Sequence, residues 1–207
     1  MKIKDAVLET VCGYTSVLPE SEAAEIAFAG KSNVGKSSLI NVLMNRKRLA
    51  RVGETPGKTR TINFYRVSAI GELSEERTDI DFYLVDLPGY GYANVPEAEK
   101  AKWGELVERY LHSSKALKQV FLLVDIRHAP GANDVQMYNW IRQAGYEPVV
   151  IATKADKIKR SQLQKQMKVI RTALGAPGSL VIYPFSALTR SGAEEIHNRI
   201  ESVLTGV

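Results

Sequence analysis

Short apolar runs rich in β-branched residues alternate along the chain with longer stretches whose apolar residues recur every three or four positions. Residues 24–29, 61–69, 81–85, 119–124, 148–152 and 180–185 carry the first pattern and are predicted to be strands. Residues 36–45, 96–112, 132–144, 161–174 and 192–204 carry the second and are predicted to be helices. In the fourth of these, Leu163, Met167, Ile170 and Leu174 are spaced four, three and four, which puts them on one face, and that face belongs to the core. Strands alternating with helices imply a mainly parallel sheet covered on both sides, with ligands outside the carboxyl ends of the strands. One segment breaks the alternation: residues 71–79 are polar and too short for a crossover helix, so an antiparallel hairpin is predicted there. The expected architecture is α/β: a six-stranded, mainly parallel sheet with one antiparallel hairpin strand and helices on both faces.

Composition narrows the class. A chain of 207 residues, 44% hydrophobic and 25% charged, can bury a core and is not dominated by disorder or repeats. It is expected to be a single domain, with residues 1–22 as an N-terminal extension and 23–207 as the functional core. Cys12 is the one cysteine, so this chain alone builds no disulfide, four-cysteine zinc site or iron–sulfur cluster, and a reducing cytoplasmic location is expected. Cys12, Trp103 and Trp140 read as packing residues. The densest apolar runs, 120–124 and 149–152, fall far short of the ~20 residues of a membrane span. No secretory signal or lipidation motif is read at either end, so no membrane attachment is expected.

Charge is regional. The formal net charge is +5, but residues 44–60 hold six basic residues against one acid and residues 154–171 hold seven against one, leaving the remainder net acidic. Two basic stretches suit a phosphate-rich partner, because each neutralised phosphate releases counterions; a solvated helix face and a loop are the alternative.

Directly after the first predicted strand stands Gly30-Lys31-Ser32-Asn33-Val34-Gly35-Lys36-Ser37, which fits G-x-x-x-x-G-K-[ST] and opens a predicted helix. In such a loop the backbone N–H groups turn inward around phosphate oxygens and the helix N-terminus adds partial positive charge. Lys36 is placed to reach the β- and γ-phosphates and the Ser37 hydroxyl to ligate Mg²⁺.

Three further motifs fall at strand ends. Asp86-Leu87-Pro88-Gly89 ends the third strand, where Asp86 can hold Mg²⁺ through water and the Gly89 N–H can sense the γ-phosphate. Thr153-Lys154-Ala155-Asp156 follows the fifth strand, and Phe185 ends the sixth, with Ser186, Ala187 and Leu188 directly after it. Guanine offers N1–H and N2–H₂ as paired donors to one carboxylate, whereas adenine presents an acceptor at N1; Asp156 therefore selects guanine. The Lys154 stem can lie over the base, and a backbone N–H near Ala187 can bond guanine O6. Of the hydroxyls at Thr55, Thr59 and Thr61, Thr59 is chosen to reach Mg²⁺ because it lies on a glycine-flanked loop whereas Thr61 falls in the predicted strand; simple turn chemistry is the alternative.

Together the phosphate loop, Thr55-Pro56-Gly57-Lys58-Thr59, Asp86-Leu87-Pro88-Gly89-Tyr90-Gly91-Tyr92 and Thr153-Lys154-Ala155-Asp156 resemble the EngB (also called YihA) family of bacterial GTPases, from about Pro19 to the C-terminus. The resemblance implies a Ras-like P-loop G domain that binds GTP and GDP with Mg²⁺, acts in large ribosomal subunit assembly, and is needed for normal cell division and septation. The large ribosomal subunit and its rRNA are the expected partner; no DNA or membrane partner is expected, and the chain is expected to be a monomer. Lys36, Thr59 and Gly89 are the expected catalytic group, and Gly57, Lys58, Arg60, Thr61, Leu87 and Pro88 join the expected nucleotide contacts. Thr153 stands where GTPases in general carry asparagine, which leaves open how guanine N7 is held. Tyr90 stands where many regulatory GTPases carry a water-orienting glutamine, so unaided hydrolysis is expected to be slow, on the order of 10⁻⁴ to 10⁻² s⁻¹, and to need a partner or a further cation. Asn33 occupies the position at which potassium-activated GTPases, which this loop resembles, ligate a monovalent cation; a turn asparagine bonding its own loop is the alternative. Arg127 and His128 read as a polar loop without a catalytic role. A P-loop kinase and a septin-like structural GTPase are the competing classes; the first needs a lid, and no arginine-rich insertion supplies one.

Overall fold

A strand that is apolar at every position, like residues 120–124, is stable only with both of its faces covered. The structure, a computed structural model, describes residues 1–50, 61–73, 77–91 and 96–206. Its elements run β1 (Lys2–Cys12), β2 (Ala24–Gly30), α1 (Lys36–Leu43), β3 (Ile62–Ile70), β4 (Asp79–Asp86), α2 (Glu97–Ser113), β5 (Leu117–Asp125), α3 (Ala132–Gln143), β6 (Val149–Thr153), α4 (Leu163–Ala173), β7 (Ile182–Pro184) and α5 (Ala193–Thr205). Two short 3₁₀ turns, Ala155–Lys157 and Arg160–Gln162, lie between β6 and α4.

The strands form one sheet in the order β1-β3-β4-β2-β5-β6-β7. β3 is antiparallel to both neighbours, and the other pairings are parallel. The predicted hairpin is β3–β4, with Gly71 N–H donating to Thr78 O across its turn (2.8 Å). The expected six strands become seven. The addition is β1, which lies within the stretch expected as an extension and pairs with β3 from Lys2↔Ile70 to Cys12↔Ile62. β1 is an edge strand on which only Ala6 and Cys12 are buried. Its charged positions Lys2, Lys4, Asp5 and Glu9 give it no apolar run, and such charges protect an exposed edge.

Side chains alternate strictly between two cores. Ala27 and Ala29 of β2 and Val120, Leu122 and Val124 of β5 face a layer that includes Leu106, Val107 and Tyr110 of α2, Met137 and Ile141 of α3, and Met167 and Ile170 of α4. Ile26 and Phe28 of β2 with Phe121 and Leu123 of β5 face Leu39, Ile40 and Leu43 of α1 and Ile196 and Ile200 of α5. The Phe28 and Phe121 rings stack at 5.1 Å between centroids. β2 therefore sits at the centre of the sheet, and its carboxyl end opens into the phosphate loop. No helix among the described residues is long and apolar enough to cross a membrane.

Candidate nucleotide site

The loop that leaves β2 owes its shape to its glycines. A Cβ on Gly30 would lie 2.9 Å from Val34 Cγ1 and 3.0 Å from Leu123 Cβ, so the chain passes there only without a side chain. Gly35 at φ +107° turns the loop into α1, a conformation that favours glycine. Asn33 also has a positive φ, +62°, one of the few that asparagine tolerates. α1 starts at Lys36, so the loop ends on a helix N-terminus with Ser37 in its first turn.

β4 delivers the second part. Asp86 is its last residue and pairs with Phe28 of β2, and Leu87 N–H donates to Phe28 O (3.0 Å). Lys36 Nζ donates to Asp86 Oδ1 in a largely buried ion pair, which brings the cation expected to bind phosphate and the carboxylate expected on the metal side to one point. The chain then clips onto the phosphate loop: Ser32 N–H donates to Tyr90 O (2.8 Å), and a parallel bridge joins Lys31 to Tyr90. Gly89 lies against Ser32, so close that a Cβ on Gly89 would come 3.0 Å from Ser32 Oγ.

Tyr90 does not face the phosphate loop. Its ring is buried against Trp103 (5.6 Å between centroids), and its hydroxyl donates to Asp134 Oδ1 (2.8 Å) at the start of α3. Burial, reinforced by the Asp134 charge, pushes the phenol well above its usual range, so it stays a donor. Asp134 also accepts the Gly131 N–H through Oδ2 (2.9 Å).

The third part comes from the ends of β6 and β7. Thr153 is buried, with its Oγ1–H within reach of Val34 O (2.6 Å) and Val124 O (3.1 Å), so it ties the base motif to the phosphate loop from below. Lys154, at φ +61°, sends Nζ to Asn33 O (2.9 Å) and to Asp125 Oδ2 (2.9 Å). Asp156 Oδ1 accepts the buried Ser186 hydroxyl (2.7 Å) and Oδ2 pairs with Lys157 (3.2 Å). The Ser186 bond, followed by the Lys157 charge, holds the Asp156 carboxyl below its usual range. Ala155 N–H donates to Phe185 O (3.0 Å), and Ala187 follows half-buried, so the two motifs expected to frame the base are adjacent.

The expected residues Gly30, Lys31, Ser32, Asn33, Val34, Gly35, Lys36, Ser37, Asp86, Leu87, Pro88, Gly89, Thr153, Lys154, Ala155, Asp156, Phe185, Ser186 and Ala187 thus lie on segments that meet at the carboxyl edge of the sheet. Thr61 lies one residue before β3, and its hydroxyl donates to Asn63 Oδ1 (2.9 Å). Thr55, Gly57, Lys58, Thr59 and Arg60 lie outside the described residues.

Asp125 is the residue that sequence reasoning missed. It ends β5, and its carboxylate is gripped by Arg127 Nε (2.9 Å) and Nη2 (2.7 Å) while it holds Lys154. Burial opposes its charge, but Arg127 and Lys154 overcome this and keep the carboxyl well below the usual range. Its place at a strand end, like Asp86, was the available signal. Arg127 accordingly braces the site and does not enter it.

The donor set suits Mg²⁺ bound with a nucleotide. No cluster of three or more His, Cys, Asp or Glu that could hold a metal occurs among the described residues. Mg²⁺ is commonly held by one or two protein oxygens with phosphates and waters, and Ser37 and Asp86 supply such a pair. Bound Mg²⁺ would neutralise phosphate charge. Lys36 and the loop N–H groups would hold phosphate oxygens, Asp156 would accept the guanine donors, and the Lys154 stem would cover the base.

A mainly parallel sheet with a phosphate loop at its central strand, an aspartate at the neighbouring strand end and a carboxylate at the expected base position defines a P-loop GTPase with a Ras-like G domain. The profile of the family described as "50S ribosome-binding GTPase" matches residues 25–154. The chain is 56% identical to "Probable GTP-binding protein EngB" of Lachnospira eligens over 98% of its length and 90% of that protein. It is equally identical to the protein of the same name in Lachnoclostridium phytofermentans, over 99% and 96%. A crystal structure of a probable GTP-binding protein engB superposes with a TM-score of 0.68 at 29% identity, over 89% of this chain and all of that one. The chain belongs to the EngB family of GTP-binding proteins and is a GTPase, which converts GTP to GDP and phosphate.

Proposed function

We propose that this GTPase is a molecular switch in assembly of the large ribosomal subunit, acting in the cytoplasm as a monomer and required for normal cell division and septation. The observation that carries the ribosomal reading is a basic surface outside the nucleotide contacts. Arg46, Lys47 and Arg48 are exposed just after α1, and Lys159, Arg160, Lys165 and Lys168 are exposed between β6 and the middle of α4. The ribosome-binding description of the matched family supports the same partner. Such a surface meets rRNA phosphates, so its binding weakens steeply with salt and depends little on base identity.

Sedimentation with purified subunits in the GDP, GTP-analogue and nucleotide-free states tests this. Reversing Arg46, Lys47 and Arg48 together should reduce large-subunit binding while guanine nucleotide affinity stays near that of the unmodified protein. Reversing Lys159, Arg160 and Lys165 tests the second stretch. Large-subunit binding unchanged in both across a salt titration would reject the surface as the contact.

Hydrolysis is slow without help in this reading, because Tyr90 turns into the core and supplies no group to the attacking water. Asn33 is the ligand for a stimulating potassium ion. Exchanging Na⁺ for K⁺ at constant ionic strength should raise the rate, and Asn33→Ala should remove the difference.

A further inference from the structure

Ser32 presents a contradiction that the phosphate loop alone does not resolve. Its N–H is bonded to Tyr90 O (2.8 Å), yet its hydroxyl is buried without a hydrogen-bond partner among the described residues. A buried hydroxyl is normally paired, because leaving it unpaired forfeits its bond to water. Smallness alone does not explain the serine. Gly89 packs on this position, with a hypothetical Cβ 3.4 Å from Ser32 Cα, and alanine would satisfy that approach as well.

The place of the hydroxyl suggests its use. It lies at the seam between the phosphate loop and the segment that carries Asp86 and Gly89, beside the glycine whose N–H the sequence motif is expected to aim at the terminal phosphate. The same seam is held by the Lys36–Asp86 pair. Unpaired polar groups of this kind cluster where a ligand completes the bonding.

We propose that the Ser32 hydroxyl is a specificity group for the terminal phosphate: it donates a hydrogen bond to a γ-phosphoryl oxygen of GTP. The chain then distinguishes triphosphate from diphosphate by a side chain as well as by the Gly89 main chain. This rests on the GTPase assignment and is independent of the ribosomal reading.

Calorimetry with GDP and with a non-hydrolysable GTP analogue, on the full chain with Mg²⁺, tests it. Ser32→Ala should weaken binding of the analogue about tenfold more than it weakens binding of GDP, the loss of one hydrogen bond from a hydroxyl to a charged group. Without nucleotide, the variant should melt at the same temperature or higher, because an unpaired buried hydroxyl has been removed. An unchanged ratio of the two affinities overturns the proposal. So does equal loss of both ligands with a lower melting temperature, or failure to fold, since either would make the hydroxyl part of the loop's own structure. Failure of the unmodified protein to bind either guanine nucleotide would remove the GTPase assignment together with the proposal.

Discussion

Asp156 acts as a carboxylate because the Ser186 hydroxyl and Lys157 stabilise its charge, and it can then accept the two donors of guanine at once. Asp156→Asn replaces one acceptor oxygen by a donor. Guanine nucleotide binding should weaken by at least about 2 kcal/mol and xanthine nucleotides should be favoured, which calorimetry with GTP and XTP measures. Asp125 gives a pH signature. Its carboxyl is held below the ordinary range by Arg127 and Lys154 against the cost of burial, so its contribution to stability is fully present above the ordinary carboxylate range of about pH 4. It is lost only as the pH falls through the lowered folded-state value. Asp125→Asn should therefore be less stable than the unmodified protein at pH 7, with the gap closing well below pH 4 in urea unfolding. Of these two residues only Asp156 was legible in the sequence. Its expected role rests on a four-residue motif, whereas Asp125 acquires its role from Lys154 just past the end of the next strand, a partner that only the folded sheet supplies.

At the scale of elements, the segment after Asp86 is fastened to two helices. Trp103 of α2 donates its indole N–H to Pro88 O (3.3 Å), Tyr90 packs on Trp103, and Trp103 reaches Trp140 of α3 (6.3 Å between centroids). The Tyr90–Asp134 bond joins the same segment to the start of α3. In the proposed switch, a change at Gly89 on loss of the terminal phosphate would reach both helices through these packed contacts. Tyr90→Phe should lower stability by about 1–2 kcal/mol, because Asp134 Oδ1 loses a buried donor. It should also shrink the difference in tryptophan emission between the GDP and GTP-analogue forms. Equal emission differences in Tyr90→Phe and the unmodified protein would show that the bond does not couple the loop to the helices. Element identity was legible where periodicity was strong: α4 and β5 follow from their apolar positions. β1 was not, since an edge strand with one buried residue in several leaves too little alternation to separate it from a polar extension.

On the scale of the molecule, the site lies where the chain order of the parallel strands diverges from β2, with β4 on one side and β5 on the other. In open α/β sheets this is where ligands bind, and here it lies between the two cores, so α1 in one core and α2 and α3 in the other are linked through it. Binding at such a junction stabilises the whole fold, because a ligand bound only by the native state adds RT ln(1 + [L]/Kd). At a free concentration one hundred times Kd this is about 2.7 kcal/mol. For a domain of this length each kcal/mol moves Tm by roughly 2–4 °C, so saturating GDP with Mg²⁺ should raise Tm by about 5–10 °C. ATP at the same concentration should leave Tm unmoved, because adenine offers Asp156 an acceptor where guanine offers a donor. Lys36→Ala should abolish most of the GDP shift. In the unliganded state the same variant should be less stable, by up to about 3–5 kcal/mol, since the buried Asp86 carboxylate loses its partner, so the GDP shift is read against the variant's own unliganded Tm. A GDP shift that survives Lys36→Ala, or one matched by ATP, would place the stabilising nucleotide somewhere other than the loop between β2 and α1.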